Sequence, residues 1–162
     1  MITTTPYYDK TYLHDAMENL GSMFDYAIND CHYDAEDFFD LFIASGVAWN
    51  IELGNPKFLA RMSGVETTRE VLRRTKSEYV FTSPTFREHR SPEYWLGWAI
   101  SYLQWHTGRA FSQLREQRLG PSEILRLYPT MHEADLFELD TLAEKRMLAI
   151  NTQNHMRELR NK

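Results

Sequence analysis

The sequence predicts an all-α protein, a compact bundle of helices joined by short loops. Three observations favour this fold. Apolar residues recur every three or four positions between glycines and prolines, which is the helical period. Serine and aspartate stand where several of these runs begin, as helix N-caps do. Strand-like character is confined to residues 78–82, so the 162 residues are expected to form a single helical domain, residues 1–162.

The first helix is predicted over residues 11–31, where one apolar stripe runs for about five turns. The stripe consists of Leu13, Met17, Leu20, Phe24, Ala27 or Ile28, and Cys31. A second helix is expected to start near Asp34, because an aspartate carboxylate accepts hydrogen bonds from free backbone amides. Its core-facing residues are Phe38, Leu41 and Phe42, and it ends at Ser45 and Gly46.

The middle of the chain contains shorter elements. Short helices are expected over residues 47–53 and 57–62. Ser63 and Glu66 have the spacing of a capping box, which predicts a helix from residue 64 to about residue 75. Residues 76–90 form the longest irregular connection, with a possible strand over residues 78–82.

A helix over residues 92–107 is predicted by its two ends. Ser91 is a good N-cap, Pro92 suits the first turn, and Gly108 is a good stop. One side of this helix carries mainly aromatic residues, namely Trp95, Trp98, Ala99, Tyr102, Trp105 and His106. The other side carries the small or polar residues Gly97, Ser101 and Gln104. The small side allows close approach of a second helix, so this is expected to be the central core helix, and exposed rings on it would indicate a binding patch.

The remaining elements are two short helices, over residues 109–118 and 121–128, and a long final helix. Thr130 and Glu133 have the spacing of a second capping box. The expected apolar stripe of the final helix is Leu136, Leu139, Leu142 or Ala143, Met147 and Ile150. Residues 152–162 lack that spacing and are expected to fray.

Charge is distributed unevenly along the chain. Residues 1–54 carry ten acidic and one basic side chain, and residues 55–126 carry twelve basic and seven acidic ones. A summed field of this kind steers a partner of opposite charge. One interpretation is an acidic docking surface for a basic protein, formed by Asp30, Asp34, Glu36, Asp37 and Asp40. The alternative is a solvated acidic face that the central arginines balance within the same domain.

Composition and termini indicate the cellular compartment. The single cysteine, Cys31, excludes an intrachain disulfide scaffold and Cys-rich zinc sites, and it is expected to be a small core residue. No apolar run has the length of a membrane span, and the amino terminus lacks the features of a signal peptide. A cytoplasmic protein without membrane association is therefore expected.

Five segments stand out together: residues 94–111 (YWLGWAISYLQWHTGRAF) and 121–133 (PSEILRLYPTMHE), with 42–46 (FIASG), 52–57 (ELGNPK) and 62–64 (MSG) upstream. In these segments the chain resembles a family of uncharacterised helical proteins of Firmicutes and gut bacteria. In many members of that family a helix-turn-helix DNA-binding domain follows, and their genes often lie near toxin–antitoxin-like or mobile elements. The resemblance implies an antitoxin-like or regulatory interaction module with no catalytic residues. The DNA-binding part is absent here, so the chain is expected to be a stand-alone member or a fragment.

Two other classes of function remain as alternatives. A nuclease or transferase would require His106, His132 and Arg109 to converge in one pocket. A nucleic-acid-binding regulator would use the basic side chains of Arg69, Arg73, Arg74 and Lys76, but a pI near 5.7 does not favour direct binding.

No cofactor motif and no metal motif is evident. Asp30, His32, Asp34 and Glu36 alternate in a way that can hold a cation, but helix capping and solvation explain these residues better. The leading hypothesis is therefore a cytoplasmic, non-catalytic module that docks a basic protein partner, such as a toxin or a defence nuclease.

Overall fold

The computed structural model describes residues 6–76, 78–80 and 82–162, without the side chain of Ile150. Its eight α-helices are α1 Leu13–Asp25, α2 Ala35–Ala44, α3 Val47–Glu52, α4 Gly64–Thr75, α5 Pro92–Thr107, α6 Phe111–Glu116, α7 Pro121–Met131 and α8 Leu136–Arg160. A 3₁₀ turn, Lys10–Tyr12, precedes α1, and π-helical turns occupy Tyr26–Asp30 and Lys57–Arg61. The described residues contain no strand, and the predicted all-α bundle is confirmed.

The predicted N-caps are confirmed at three helices. The Asp34 carboxylate accepts from the amides of Glu36 and Asp37 at the start of α2. Ser63 Oγ accepts from the Glu66 amide, and Ser91 Oγ accepts from the Tyr94 amide. Only half of the expected box at Ser63 forms, because the Glu66 carboxylate accepts from the Ser63 hydroxyl instead of the Ser63 amide. α5 ends at Gly108, which adopts the left-handed conformation (φ 64°) that glycine permits.

The prediction of a second capping box, at Thr130 and Glu133, is wrong. α7 continues through Pro129 to Met131, so Thr130 lies inside a helix rather than ahead of one. Pro129 cannot donate to the carbonyl of Leu125, four residues earlier, and α7 ends two residues after it. The final helix starts at Leu136, after Asp135 in the N-cap position.

The connection between α4 and α5 is irregular, as expected. Residues 78–80 and 82 form no strand, while Phe81 of the predicted strand lies outside the described residues, as does Ser77. Polar contacts fix this connection to the end of α1. The Tyr26 hydroxyl donates to the Thr82 carbonyl, and Arg87 reaches the carboxylates of the α1 end.

The core lies around α1 and α5, which pack closely along one side. Gly97 of α5 faces the α1 backbone so closely that a Cβ atom there would lie 2.0 Å from the Leu20 carbonyl oxygen. The close helix contact expected from the small side of α5 is therefore confirmed. Ser101 and Gln104, on the same side of α5, are buried as well.

Phenylalanines fill the space between α1, α2 and α6. Phe24 of α1 is fully buried and meets Phe38, Phe39 and Phe42 of α2 with ring centroids 5.7–6.4 Å apart. Phe111 at the start of α6 closes the cluster, 5.1 Å from Phe42. Phe39 belongs to this core although the sequence pattern assigned only Phe38, Leu41 and Phe42 to it.

The long helix α8 has two parts. Leu139, Ala143 and Met147 of the predicted stripe are buried, and Leu136 and Leu142 are half-buried. The Ile150 side chain lies outside the description. Residues 151–160 remain helical with every side chain exposed, so this part of the helix extends past the core.

Replacing Gly97 with alanine is expected to destabilise the protein by about 3 kcal/mol or more, because a backbone carbonyl cannot move aside as a side chain can. Urea unfolding followed by circular dichroism measures the change. Gly120→Ala is the matched control, since its Cβ would meet the flexible Arg115 side chain, with the Cγ atom 3.1 Å away. Equal losses for the two variants would contradict the importance of the α1–α5 contact.

Candidate functional site

Asp30 does not belong to an exposed acidic surface, which corrects the prediction. Its side chain is 5% exposed, and its Oδ1 accepts from Arg87 at 2.7 Å. Burial raises the pKa of Asp30, but hydrogen bonds from Arg87 and Thr85 outweigh burial, so that the pKa lies below its usual value. The residue is a buried carboxylate that holds the α4–α5 connection.

The π-helical turn Tyr26–Asp30 explains this inward placement. In a regular α-helix, Asp25 and Asp30 would point about 140° apart, because successive residues are separated by about 100°. A π turn brings residues five positions apart into register instead. Arg87 therefore reaches both carboxylates, with its Nη1 atom 3.0 Å from Asp25 Oδ2.

Two other acidic residues of the first third stabilise helix N-termini elsewhere. The Glu36 carboxylate accepts from the Ser122 amide of α7 at 2.9 Å. The Glu52 carboxylate accepts from the Phe111 amide of α6 at 3.0 Å. Negative charge is favourable at a helix N-terminus, where backbone amides lack partners. Burial raises the pKa of Glu52, and the bond from Phe111 opposes this.

The rest of the predicted acidic surface stays at the surface. Asp34, Asp37 and Asp40 are exposed and Glu36 is half-buried. Asp37 and Asp40 share one face of α2, since they are three residues apart. Asp40 is paired with Arg115 of α6, whose guanidinium also lies 4.7 Å from the ring centroid of Phe39.

Two arginines of the predicted basic patch form ion pairs within their own helix, α4. Arg73 and Arg74 both donate to the Glu70 carboxylate, at 2.6 and 2.7 Å. Arg74 also donates to the Ser45 carbonyl. Arg69 lies near Tyr26 and Cys31, whose pKa values it influences. Phosphate contacts by this patch would have to compete with these interactions.

The three residues of the enzyme alternative have different described partners. His106 stacks on Tyr102 and lies 3.4 Å from the Asp140 carboxylate. His132 stacks on Tyr128 and lies near the N-terminus of α5, whereas His106 lies near its C-terminus. The Arg109 backbone bonds to the last turn of α5. Their described contacts do not bring these residues into one pocket.

Three of the four alternating residues from Asp30 to Glu36 bind separate partners. Asp30 binds Arg87, while Asp34 caps α2 and Glu36 caps α7. Across the residues that the structure describes, no group of three or more His, Cys, Asp or Glu side chains is placed to hold a metal ion.

Cys31 is half-buried rather than part of the innermost core. It lines a cavity with Tyr33 and Leu72 next to the α4–α5 connection. Burial raises the pKa of its thiol, and the neighbouring Asp30 carboxylate raises it too, while hydrogen bonding to Tyr26 opposes both effects.

A surface that the sequence analysis missed lies on α3 and the segment before α1. Tyr7, Trp49 and Leu53, here called the Trp49 surface, are 65%, 62% and 53% exposed. They line a shallow groove of about 130 Å³ together with Glu52, Gly108, Ala110 and Gln113. The signal was present, because Trp49 and Leu53 are four residues apart on the side of α3 opposite its buried residues Val47 and Ile51.

Hydrogen bonds hold the backbone beneath this surface. Trp105 donates its indole N–H to the Tyr8 carbonyl at 2.9 Å, which holds the segment that carries Tyr7. Glu52 fixes the end of α3 to the start of α6 through the Phe111 amide. The exposed side chains are therefore presented on backbone that packing and hydrogen bonds hold in place.

No protein-family model, curated protein or solved structure matches this chain. In the described part of the chain, none of the helices combines the length and the apolar character that crossing a bilayer requires.

Arg87→Gln is expected to cost about 3 kcal/mol of stability, because it leaves the buried Asp30 carboxylate without its charged partner. Adding Asp30→Asn to that variant is expected to recover part of the loss, since it removes the unpaired charge. The exposed pair Arg126–Glu123 supplies the control. Arg126→Gln should cost less than about 1 kcal/mol, and an equal loss for Arg87→Gln in urea unfolding would contradict the role assigned to Arg87.

Stability is expected to fall in acid partly through Glu70. Hydrogen bonds from Arg73 and Arg74 lower its pKa from 4.5 to about 2, although burial opposes them. The unfolded chain therefore takes up a proton at a higher pH than the folded protein does, and stability is lost as pH falls from about 4.5 towards about 2. Glu70→Gln should flatten this dependence in urea titrations across that range. An unchanged slope would contradict the assignment.

Proposed function

We propose that this chain is a non-catalytic, antitoxin-like or regulatory module that binds a basic protein through the Trp49 surface and the acidic residues of α2. The observation that carries the proposal is the exposure of Trp49 on a helix whose end is hydrogen-bonded to α6. Tryptophan and tyrosine dominate binding energy at protein interfaces, because they bury large areas at little cost in conformational entropy.

The composition of the groove supports a protein partner. Trp49 and Leu53 supply apolar surface to the groove, while Gln113 and Glu52 add polar side chains to its lining. Protein interfaces combine apolar and polar surface in this way.

α6 links this groove to the acidic residues. Gln113 of α6 lines the groove, and Arg115, two residues later, pairs with Asp40 of α2. Because residues two apart on a helix point to opposite sides, Asp37 and Asp40 lie across α6 from the groove and would form a separate charged contact with the partner. Exposed charges speed encounter with an oppositely charged partner and make binding sensitive to salt. This revises the docking hypothesis, which relied on acidic residues alone.

The antitoxin-like or regulatory role follows from the resemblance to the helical family of Firmicutes and gut bacteria. A toxin or a defence nuclease is a partner of suitable chemistry, because proteins that bind nucleic acid carry basic surfaces. Such a partner would meet the acidic residues of α2 favourably.

Trp49→Ala is expected to weaken binding of the partner by at least about thirtyfold, the loss associated with a central hot-spot residue. The immobilised chain and its variants are incubated with extract of the native host at low salt, and captured proteins are identified by mass spectrometry. The captured partner is then purified, and its affinity is measured against each variant.

Two further variants sharpen the test. Asp37→Asn with Asp40→Asn should lower affinity less than Trp49→Ala does and reduce the salt dependence. Phe86→Ala removes another exposed aromatic side chain, 91% exposed on the α4–α5 connection, and should leave binding unchanged. Capture that is insensitive to Trp49→Ala, or the absence of any captured protein at low salt, would count against the proposal.

A further inference from the structure

A second concave site lies between the first turns of α5 and the end of α7. This α5–α7 cleft has a volume of about 250 Å³ and is lined by Arg90, Ser91, Tyr94, Trp95, Trp98, Tyr128 and His132. It shares no lining residue with the Trp49 surface. A cleft of this size is small for a ligand site and suits a compound of one or two fused rings.

Aromatic rings form the walls of the cleft, and contacts between the lining residues hold several of them in place. Trp95 is buried and meets Tyr128 edge-on, with ring centroids 5.9 Å apart. Tyr128 in turn stacks on His132 at 4.3 Å. Trp98 is half-buried and, within the described residues, has no stacked or edge-on aromatic neighbour. Trp98 packs partly against the core, and the part of its ring that lines the cleft is the surface offered to a planar ligand.

The charge at the rim of the cleft determines whether an anionic or a cationic ligand is favoured. Aromatic walls alone attract cations. Here the Arg90 guanidinium already lies over the Tyr94 ring, 4.6 Å from its centroid, and a second cation would be repelled. Two carboxylates lie close to lining residues of the cleft: Glu18 is 3.7 Å from Arg90, and Asp25 accepts from the Ser91 hydroxyl and is paired with Arg87.

Neither carboxylate lines the cleft, whereas Arg90 and His132 do. The Arg90 side chain is 68% exposed, and its distance from Glu18 is that of a loose ion pair. Its guanidinium is permanently charged and has donors left for a carboxylate or phosphate.

We propose that the α5–α7 cleft binds a small planar aromatic anion, with its ring against Trp98 and its carboxylate or phosphate at Arg90. The ring replaces water on an apolar wall, and the anion forms charge-assisted hydrogen bonds. This inference is independent of the proposed protein partner, because it rests on other residues.

The indole N–H signals of the four tryptophans report on binding in ¹H–¹⁵N correlation spectra of the full chain. Millimolar indole-3-acetate is expected to shift the Trp98 signal and leave those of Trp49 and Trp105 in place. AMP, in which ribose joins a purine ring to a phosphate, tests a phosphate as the anionic group. Tryptamine has the same ring with the opposite charge and should bind at least about tenfold more weakly than indole-3-acetate.

Two variants test separately what the Trp98 ring and the Arg90 charge contribute to binding. Trp98→Ala should abolish binding of indole-3-acetate, followed through saturation transfer from the protein to the ligand protons. Arg90→Gln should remove most of the preference for indole-3-acetate over tryptamine, while Trp49→Ala serves as the control and should change nothing. Equal binding of tryptamine, retained binding in Trp98→Ala, or no shift with either indole-3-acetate or AMP would overturn the proposal.

Discussion

The close backbone contact between α1 and α5 at Gly97 is the constraint on which the rest of the fold depends. Because no side chain separates the two helices there, the other side of α5 is free to carry Trp95 towards α7 and Tyr102 towards α8. On α1, Phe24 packs against α2. The same packing places the first turns of α5 beside the end of α7, where the aromatic cleft forms.

Electrostatics joins the two halves of the chain. The acidic first third and the basic middle interact within the domain, through Asp25 and Asp30 with Arg87 and through Asp40 with Arg115. Glu36 and Glu52 accept hydrogen bonds from amides at the N-termini of α7 and α6. These contacts consume much of the negative field that the sequence suggests, so an interface that relies on charge alone is less favoured than one with an apolar centre. The exposed Trp49 provides such a centre.

Most helix boundaries could be predicted because their causes are local. Ser91 and Asp34 accept from amides two or three residues later, and Gly108 ends α5 by its own backbone conformation. The box predicted at Thr130 failed because a local pattern does not exclude continuation of the preceding helix through Pro129. Within the candidate site, residue spacing alone could have indicated Trp49. The inward turn of Asp30 could not be foreseen, because the α-helical period does not describe a π turn.

The amino-acid sequence by itself determined the all-α class, the apolar stripes and most helix ends, since capping and periodicity act within one or two turns. Only the tertiary structure decided which carboxylates stay at the surface and which aromatic rings line a cleft. The reason is distance along the chain: Glu36 meets an amide 86 residues away and Trp105 a carbonyl 97 residues away. No local pattern encodes such pairs, because each depends on how whole helices pack.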